Sequence, residues 1–90
     1  MASPAVRVAS RLQRDLQRRG FYVSRHASSM LVMKNRRVVA TVHVYGDDCV
    51  LSVYEPWMKE NLELIPIIKR VVGKHCRRID ERRVPPRKPF

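Results

Sequence analysis

Residues 37–54 read RVVATVHVYGDDCVLSVY, and this stretch decides the fold. Its two arms are rich in β-branched and aromatic residues and show the alternation of a half-buried strand. Between the arms, Gly46, Asp47 and Asp48 are residue types that favour a tight turn. The stretch therefore predicts a β-hairpin at the centre of a small sheet.

The register of this hairpin decides which side chains point away from the core. Pairing Tyr45 with Val50 gathers the aliphatic residues on one face and the aromatic and polar ones on the other. The aliphatic face is then Ala40, Val42, Val44, Leu51 and Val53. The opposite face is Thr41, His43, Tyr45, Ser52 and Tyr54. We expect helices to cover the first face and to leave the second open.

Two shorter strands are predicted upstream, at residues 21–24 and 30–33, with a turn at Asn35-Arg36 before the hairpin. This arrangement makes a four-stranded antiparallel sheet. The core face gains Phe21, Val23, Leu31, Met33 and Val38. The open face gains Tyr22, Ser24, Val32 and Val39.

The N-terminal segment predicts a helix over most of residues 5–19. Ser3 and Pro4 suit the N-cap and first helical position, and Gly20 suits the position just past the C-terminus. An apolar stripe recurs at helical spacing, namely Ala5, Val8, Ala9, Leu12 and Leu16. Almost opposite lies a row of arginines, namely Arg7, Arg11, Arg14 and Arg18. The row is either a solvated helix face or a secondary site for anions.

Downstream of the hairpin, the sequence predicts a short helix near residues 57–62 and a main helix over about 66–77, with Pro66 ending or restarting the helix. The main helix has an apolar face of Leu64, Ile67, Ile68, Val71, Val72 and His75. We expect His75 to be a partly buried residue at a helix terminus. Residues 79–90 are basic and Pro-rich, which predicts an extended or flexible arm. The predicted fold is thus α+β, with both terminal helices on one face of the sheet, in a single domain over residues 1–78.

Composition limits the function classes. Ninety residues allow one modest core, and a formal net charge of +11 predicts attraction to polyanions, nucleic acid above all. No apolar run approaches the roughly 20 residues that cross a bilayer, and no secretory signal is evident, so we expect a cytoplasmic protein without a membrane partner. Cys49 and Cys76 are then expected to be free thiols, and the three histidines show no zinc-ligand spacing. We predict no metal and no cofactor.

The sequence offers little catalytic chemistry. It has no glycine-rich phosphate loop, and its few acidic residues suit turns and helix starts, so the chain is predicted not to be an enzyme. One alternative remains open. The order of a helix, three strands and a helix, with Gly20-Phe21 ending the first helix and His26 following, is similar to small messenger-RNA-cleaving toxins of the HicA type. That family carries a catalytic His after Gly-Ser, whereas Arg25 and Ala27 flank His26.

A second resemblance covers about residues 5–78. The helix ending at Arg18-Arg19-Gly20-Phe21, the sheet running through Val53-Tyr54-Glu55-Pro56-Trp57 and the basic composition resemble the ThermoDBP-related single-stranded DNA-binding proteins of archaea. The resemblance implies a sheet-and-helix domain with a cleft lined by apolar and aromatic residues and bordered by basic ones. The long C-terminal dimerising helix of some members is not evident.

These observations lead to a hypothesis of sequence-tolerant binding to single-stranded DNA or RNA. Exposed bases stack on aromatic side chains while Arg and Lys hold the phosphates. The candidate stacking residues are Tyr22, His43, Tyr45, Tyr54 and Trp57. The candidate phosphate contacts are Arg25, Lys34, Arg36 and Arg37. The alternative from another class is a protein-interaction module that forms a homodimer through the open face.

Overall fold

The computed structural model describes residues 3–60 and 62–85, apart from the side chains of residues 57, 59 and 60. The helices are α1 (Pro4–Arg18), α2 (Glu55–Glu60) and α3 (Leu64–His75). The strands are β1 (Tyr22–His26), β2 (Ser29–Lys34), β3 (Arg37–Tyr45), β4 (Asp48–Tyr54) and β5 (Arg78–Val84). In this part of the chain the strands form one sheet in the order β1-β2-β3-β4-β5. The α+β class is confirmed, and α1 and α3 bury their apolar stripes in one core with the sheet.

Helix α1 forms as its sequence predicts. The Val6 N–H donates to the Ser3 Oγ at 3.2 Å, which satisfies one of the amides left unpaired at a helix start. The helix gives way to Gly20, whose φ of 90° suits a residue without a Cβ. Leu12 and Leu16 are fully buried on the sheet, so the predicted apolar stripe is confirmed.

The central hairpin has the predicted faces but a tighter turn. Tyr45 pairs with Asp48, not with Val50 as expected, so that Gly46 and Asp47 make a two-residue loop. Gly46 has a φ of 59°, the left-handed conformation that such loops require. The observed register differs from the expected one by two residues along β4, and a shift of two keeps every side chain on its own face. All five residues predicted for the aliphatic face are accordingly buried.

The prediction for β2 is wrong because β3 contains a bulge. The Asn35-Arg36 turn forms as expected, and Met33 pairs with Val38, but the next pair is Val32 with Ala40. Val39 is therefore an extra residue in β3, and an extra residue reverses the alternation beyond it. As a result Val32 and Val39 are fully buried, although the open face was expected to hold them. Leu31, expected in the core, is 42% exposed on the open face. Met33 and Val38, also expected in the core, pair with each other on the open face and are half-buried.

The segment after β4 crosses back over the sheet. Helix α3 begins two residues earlier than expected, at Leu64, and Pro66 lies in its first turn, where a proline needs no hydrogen bond from its nitrogen. The predicted apolar face packs into the core, joined by Ile65, which the sequence analysis missed. No helix in residues 3–60 and 62–85 is long and apolar enough to cross a membrane.

The C-terminal region corrects two predictions. Residues 78–84, assigned to a flexible arm from residue 79 onward, form β5, which pairs in parallel with β4. The sheet is therefore five-stranded and mixed, not four-stranded and antiparallel. Cys49 and Cys76, expected to be free thiols, form a disulfide with their Cα atoms 5.8 Å apart. The Arg77 N–H donates to the Asp47 carbonyl at 2.7 Å, so two links fix the chain beside β4 just before β5 begins. Residues 86–90 of the predicted arm lie outside the described residues.

Candidate nucleic-acid interface

The sheet face opposite the helices, which we call the open face, is defined by the observed register. From β1 and β2 it carries Tyr22, Ser24, His26, Ser29, Leu31 and Met33. From β3, β4 and β5 it carries Val38, Thr41, His43, Tyr45, Asp48, Val50, Ser52, Tyr54, Arg78, Asp80, Arg82 and Val84. None of the described helices lies on this face.

The aromatic residues of the open face lie at its two ends. Tyr45 is 64% exposed, and its ring lies 6.3 Å from that of His43 with 25° between the planes. Tyr22 is 68% exposed at the other end, and Tyr54 is half-buried on the same level of β4. About seven residues of β3 separate the two levels, which corresponds to roughly 20 Å. The open face thus presents two aromatic ends with a flatter strip between them.

The strip between the aromatic ends is made of small and polar side chains. Leu31 lies between Ser24 and Thr41, and Thr41 pairs in turn with Ser52. A shallow cleft of about 160 Å³ runs over this strip near His43. The His43 Nδ1 and the Ser29 Oγ lie 2.7 Å apart, so one hydrogen bond holds the imidazole ring in place. Leu31, which is 42% exposed, is the large apolar side chain that this strip presents beside its polar residues.

A basic rim borders the Tyr22 end. The turn between β2 and β3 carries Arg36, an exposed residue with a φ of 65°. Arg36 and Tyr22 line one cleft of about 400 Å³, so a guanidinium and a stacking ring face the same space. Arg37 follows at the exposed start of β3. Proteins that bind single-stranded nucleic acid combine aromatic rings with nearby cations in this way.

Lys34 is at the same turn but is directed towards the helix side. Its Nζ donates to the Gly20 carbonyl at 3.0 Å and lies 5.4 Å from the centre of the Phe21 ring. A cation in this position suits the C-terminal end of α1. Lys34 therefore has a structural role in addition to any contact with phosphate.

Arg25 is not brought to the open face. Its Nε donates to the Gln13 Oε1 at 2.9 Å and its Nη1 to the Ala27 carbonyl at 2.8 Å, both on the helix side of β1. Gln13 in turn donates to the Val23 carbonyl at 3.2 Å. Arg25 thus ties α1 to the edge of the sheet. The side chain of Trp57, another predicted contact, lies outside the described residues.

Strand β5 supplies a part of the open face that was not predicted from the sequence. Arg78 and Arg82 lie beside β4 there, and the Arg82 Nη2 is 2.9 Å from the Asp80 Oδ2. These two arginines balance Asp48 and Asp80, so the open face is close to neutral. The excess positive charge of the described residues therefore lies mainly on the rim and on the helices. Residues 78–84 show no apolar alternation that would have indicated this strand.

The four arginines predicted as a row are all exposed on α1, on the side of the helix away from the sheet. Three of them, Arg11, Arg14 and Arg18, line a cleft of about 200 Å³. The same cleft is lined by Asp15 and by His75 at the end of α3. The His75 Nε2 lies 3.0 Å from the Asp15 Oδ2, and both side chains are about one-fifth exposed. This confirms His75 as a partly buried residue at a helix terminus.

Asp15 is held in its charged form. The hydrogen bond from His75 lowers the pKa of the Asp15 carboxyl, and the nearby Lys74 and Arg19 lower it further, against a smaller opposing effect of desolvation. The Arg19 Nε lies 3.5 Å from the Asp15 Oδ1. Asp15 therefore connects α1 with α3 electrostatically.

Within residues 3–60 and 62–85, no group of three His, Cys, Asp or Glu side chains could hold a metal ion. The fold and this surface define the molecule as a single-sheet α+β domain with helices on one face and an aromatic, basic-rimmed open face. Comparison with family models, curated proteins and solved structures found no match to the chain.

Proposed function

We propose that this protein binds single-stranded DNA or RNA without sequence preference, with bases on the open face and phosphates at its rim. The observation that carries the proposal is the exposure of Tyr22 and of the stacked His43–Tyr45 pair on a sheet face free of helices. Exposed rings on a flat face offer stacking surfaces to any base, because every base has a π-face.

The distribution of charge supports this use of the open face. The positive and negative side chains of the open face balance each other. Bases can therefore lie on this face while their phosphates stay at its border. Arg36 and Arg37 at the turn, together with Arg78 at the other end, can hold phosphates at the border. Because the aromatic ends are roughly 20 Å apart, a strand crossing the face would cover about four nucleotides, the lower limit for comparable stacking platforms.

The stacking model is tested by replacing Tyr22 and Tyr45 together. The double variant Tyr22→Ala, Tyr45→Ala should bind a labelled single-stranded oligonucleotide at least tenfold more weakly, because each stacked base contributes about 1–3 kcal/mol. Fluorescence anisotropy at a fixed salt concentration measures the affinity. The matched control is Tyr22→Phe, Tyr45→Phe, which keeps both rings and should bind like the parent. Equal affinity of the Ala and parent proteins would refute the stacking model.

Two rival functions use the same residues differently. If the open face instead forms a homodimer, the mass in solution is that of two chains and does not fall to one chain per complex when a short oligonucleotide is added. If the chain cleaves RNA as the HicA-like alternative implies, incubation with RNA yields fragments, and His26→Ala abolishes them. Our proposal expects a complex with one protein chain in the first test and intact RNA in the second.

We also place the protein in the cytoplasm as part of this proposal. The disulfide is unusual for that compartment, although intracellular proteins of hyperthermophilic archaea carry disulfides often. The resemblance to archaeal single-stranded DNA-binding proteins agrees with such a source. Thiol titration of the protein purified from its native cells under alkylating conditions would show whether the bond forms there.

A further inference from the structure

We propose that the cleft between α1 and the end of α3, which we call the basic cleft, is a second binding site and takes phosphate groups. The basic cleft is lined by Arg11, Arg14, Asp15, Arg18 and His75. It lies on the helix layer, on the side of the molecule away from the open face. The inference stands independently of the stacking model.

The arginines of the basic cleft are available to a ligand. Arg11 and Arg18 make no hydrogen bond or ion pair within the described part of the chain, and Arg14 reaches only the Ser10 Oγ, at 3.5 Å. Three guanidinium groups on one helix face repel each other unless an anion lies between them. Such planar groups bind phosphate with two parallel hydrogen bonds, which suits them to this ligand.

Asp15 offsets this attraction only in part, because its single negative charge also faces the Arg19 guanidinium, which leaves the positive charges of the row in excess. Its carboxylate accepts from the His75 Nε2 at 3.0 Å and faces the Arg19 Nε at 3.5 Å, and neither partner belongs to the arginine row. The hydrogen bond also fixes the imidazole ring at the edge of the cleft. The ring then borders the cleft beside the arginines, which are the groups that donate to a bound anion.

The dimensions favour phosphate over a larger ligand. The cleft is about 200 Å³ and open to solvent, and no aromatic ring other than the His75 imidazole lines it. Arg11 and Arg18 are seven residues apart, or about 10 Å along the helix, and Arg7 extends the row to about 16 Å. That length matches successive phosphates of a nucleic-acid backbone, while the cleft itself accepts one free phosphate. In both cases the group that binds is a phosphate, which belongs either to a nucleic-acid backbone or to a free phosphate ion.

The first experiment uses inorganic phosphate as the probe. Titration at constant ionic strength, followed by NMR of the arginine Nε–H groups and the His75 ring, should give saturable shifts at the basic cleft. In Arg14→Gln, Arg18→Gln the dissociation constant should rise at least fivefold. The control Arg70→Gln, Arg83→Gln removes the same charge from exposed positions on α3 and β5 and should change it less than twofold.

Equal weakening in the two double variants, or shifts that never saturate, would overturn the proposal, because a generally basic surface gives that result. All four arginines are exposed, so the variants should fold, and thermal unfolding checks this. As a second variant, Arg14→Lys, Arg18→Lys keeps the charge but loses the bidentate geometry. It should bind phosphate with an affinity between those of the parent and the Gln variant.

The second experiment identifies the source of the phosphate. A short DNA duplex is added to the phosphate-loaded protein, and displacement from the basic cleft shows that a nucleic-acid backbone is the ligand. Retention of inorganic phosphate in the presence of duplex shows a small-anion site, which still supports the proposal. Repeating the phosphate titration on Tyr22→Ala, Tyr45→Ala separates the two sites. These substitutions should leave phosphate binding at the basic cleft unchanged, whatever their effect on the binding of single strands.

Discussion

The lowered pKa of Asp15 makes the stability of the fold depend on pH. The Asp15 carboxylate is the meeting point of α1 and α3 through His75, and that hydrogen bond is the main cause of its lowered pKa. A pKa that is lower in the folded than in the unfolded protein means that folding favours the ionised form. The resulting stabilisation is present above the ordinary aspartate pKa and is lost as the pH falls through the lowered folded value.

This shift predicts a pH-dependent difference between the parent and Asp15→Asn. At neutral pH the variant should be less stable, and the gap should close as the pH falls below the lowered pKa, where Asp15 in the parent is protonated. Urea unfolding between pH 7 and pH 2 measures the difference.

The variant His75→Leu supplies the control, since it removes the donor and should abolish most of the effect of Asp15→Asn. A gap of constant size at every pH, or strictly additive effects of the two substitutions, would contradict the assigned cause.

At the scale of single strands, the β3 bulge decides the inner and outer faces of β2. Val32 is fully buried, whereas its neighbour Leu31 is 42% exposed. Val32→Ser should therefore lower the free energy of unfolding by at least about 2 kcal/mol, since it removes a buried side chain and adds a buried hydroxyl. Leu31→Ser should lower it by less than about 1 kcal/mol.

Chemical denaturation of both variants measures these changes. The two substitutions match in type and differ by one position, so each serves as the control for the other. If Leu31→Ser lowered the free energy of unfolding more than Val32→Ser, Leu31 and not Val32 would face the core. The bulge at Val39 would then be wrong.

A second prediction concerns β5 and the disulfide beside it. The Cys49–Cys76 bond closes a loop over a sequence separation of 27 residues, and opening a loop of that size costs about 3 kcal/mol. Because the bond lies just before β5, Cys49→Ala, Cys76→Ala should also raise hydrogen exchange in residues 78–84 more than in β3.

Reduction of the parent protein should reproduce the effect of the substitutions, which separates the loss of the bond from the loss of the sulfur atoms. Thermal unfolding and exchange followed by mass spectrometry are the measurements. Unchanged exchange in β5 under both treatments would show that strand pairing alone holds it.

The hairpin could be predicted from the sequence, whereas the facing of β2 and the presence of β5 could not. The hairpin was predictable because alternation on both sides of Gly46 fixes its faces even when the exact register differs by two. Residues 30–33 are all apolar, so alternation could not orient β2, and the bulge that does so depends on packing. β5 was missed because a charged edge strand lacks an apolar stripe, and its pairing depends on the crossover through α3. The disulfide follows from that same crossover.

At the scale of the whole molecule, the aromatic residues and most of the positive charge lie on opposite sides. The outward positions of His43, Tyr45 and Tyr54 were predictable because these residues follow the alternation of the hairpin. Arg25 was misjudged because its hydrogen bond to Gln13 depends on how α1 packs against β1. The sheet thus separates a nearly neutral aromatic face from a strongly basic helix layer.

Two phosphate-binding sides predict that one chain can hold two nucleic-acid segments at once. We mix single strands that carry a donor dye with single strands that carry an acceptor dye, in molar excess over the protein. Energy transfer between the two kinds of strand should appear when the protein is added. Arg14→Gln, Arg18→Gln should abolish the transfer while keeping at least half of the single-strand affinity, since the open face is unchanged. Tyr22→Phe, Tyr45→Phe should retain both. The mass of the free protein, measured in the same buffer, excludes bridging by a dimer. Full transfer in the arginine variant, with a monomeric protein, would show that the second strand binds outside the basic cleft, because a single open face covering about four nucleotides cannot hold two strands side by side.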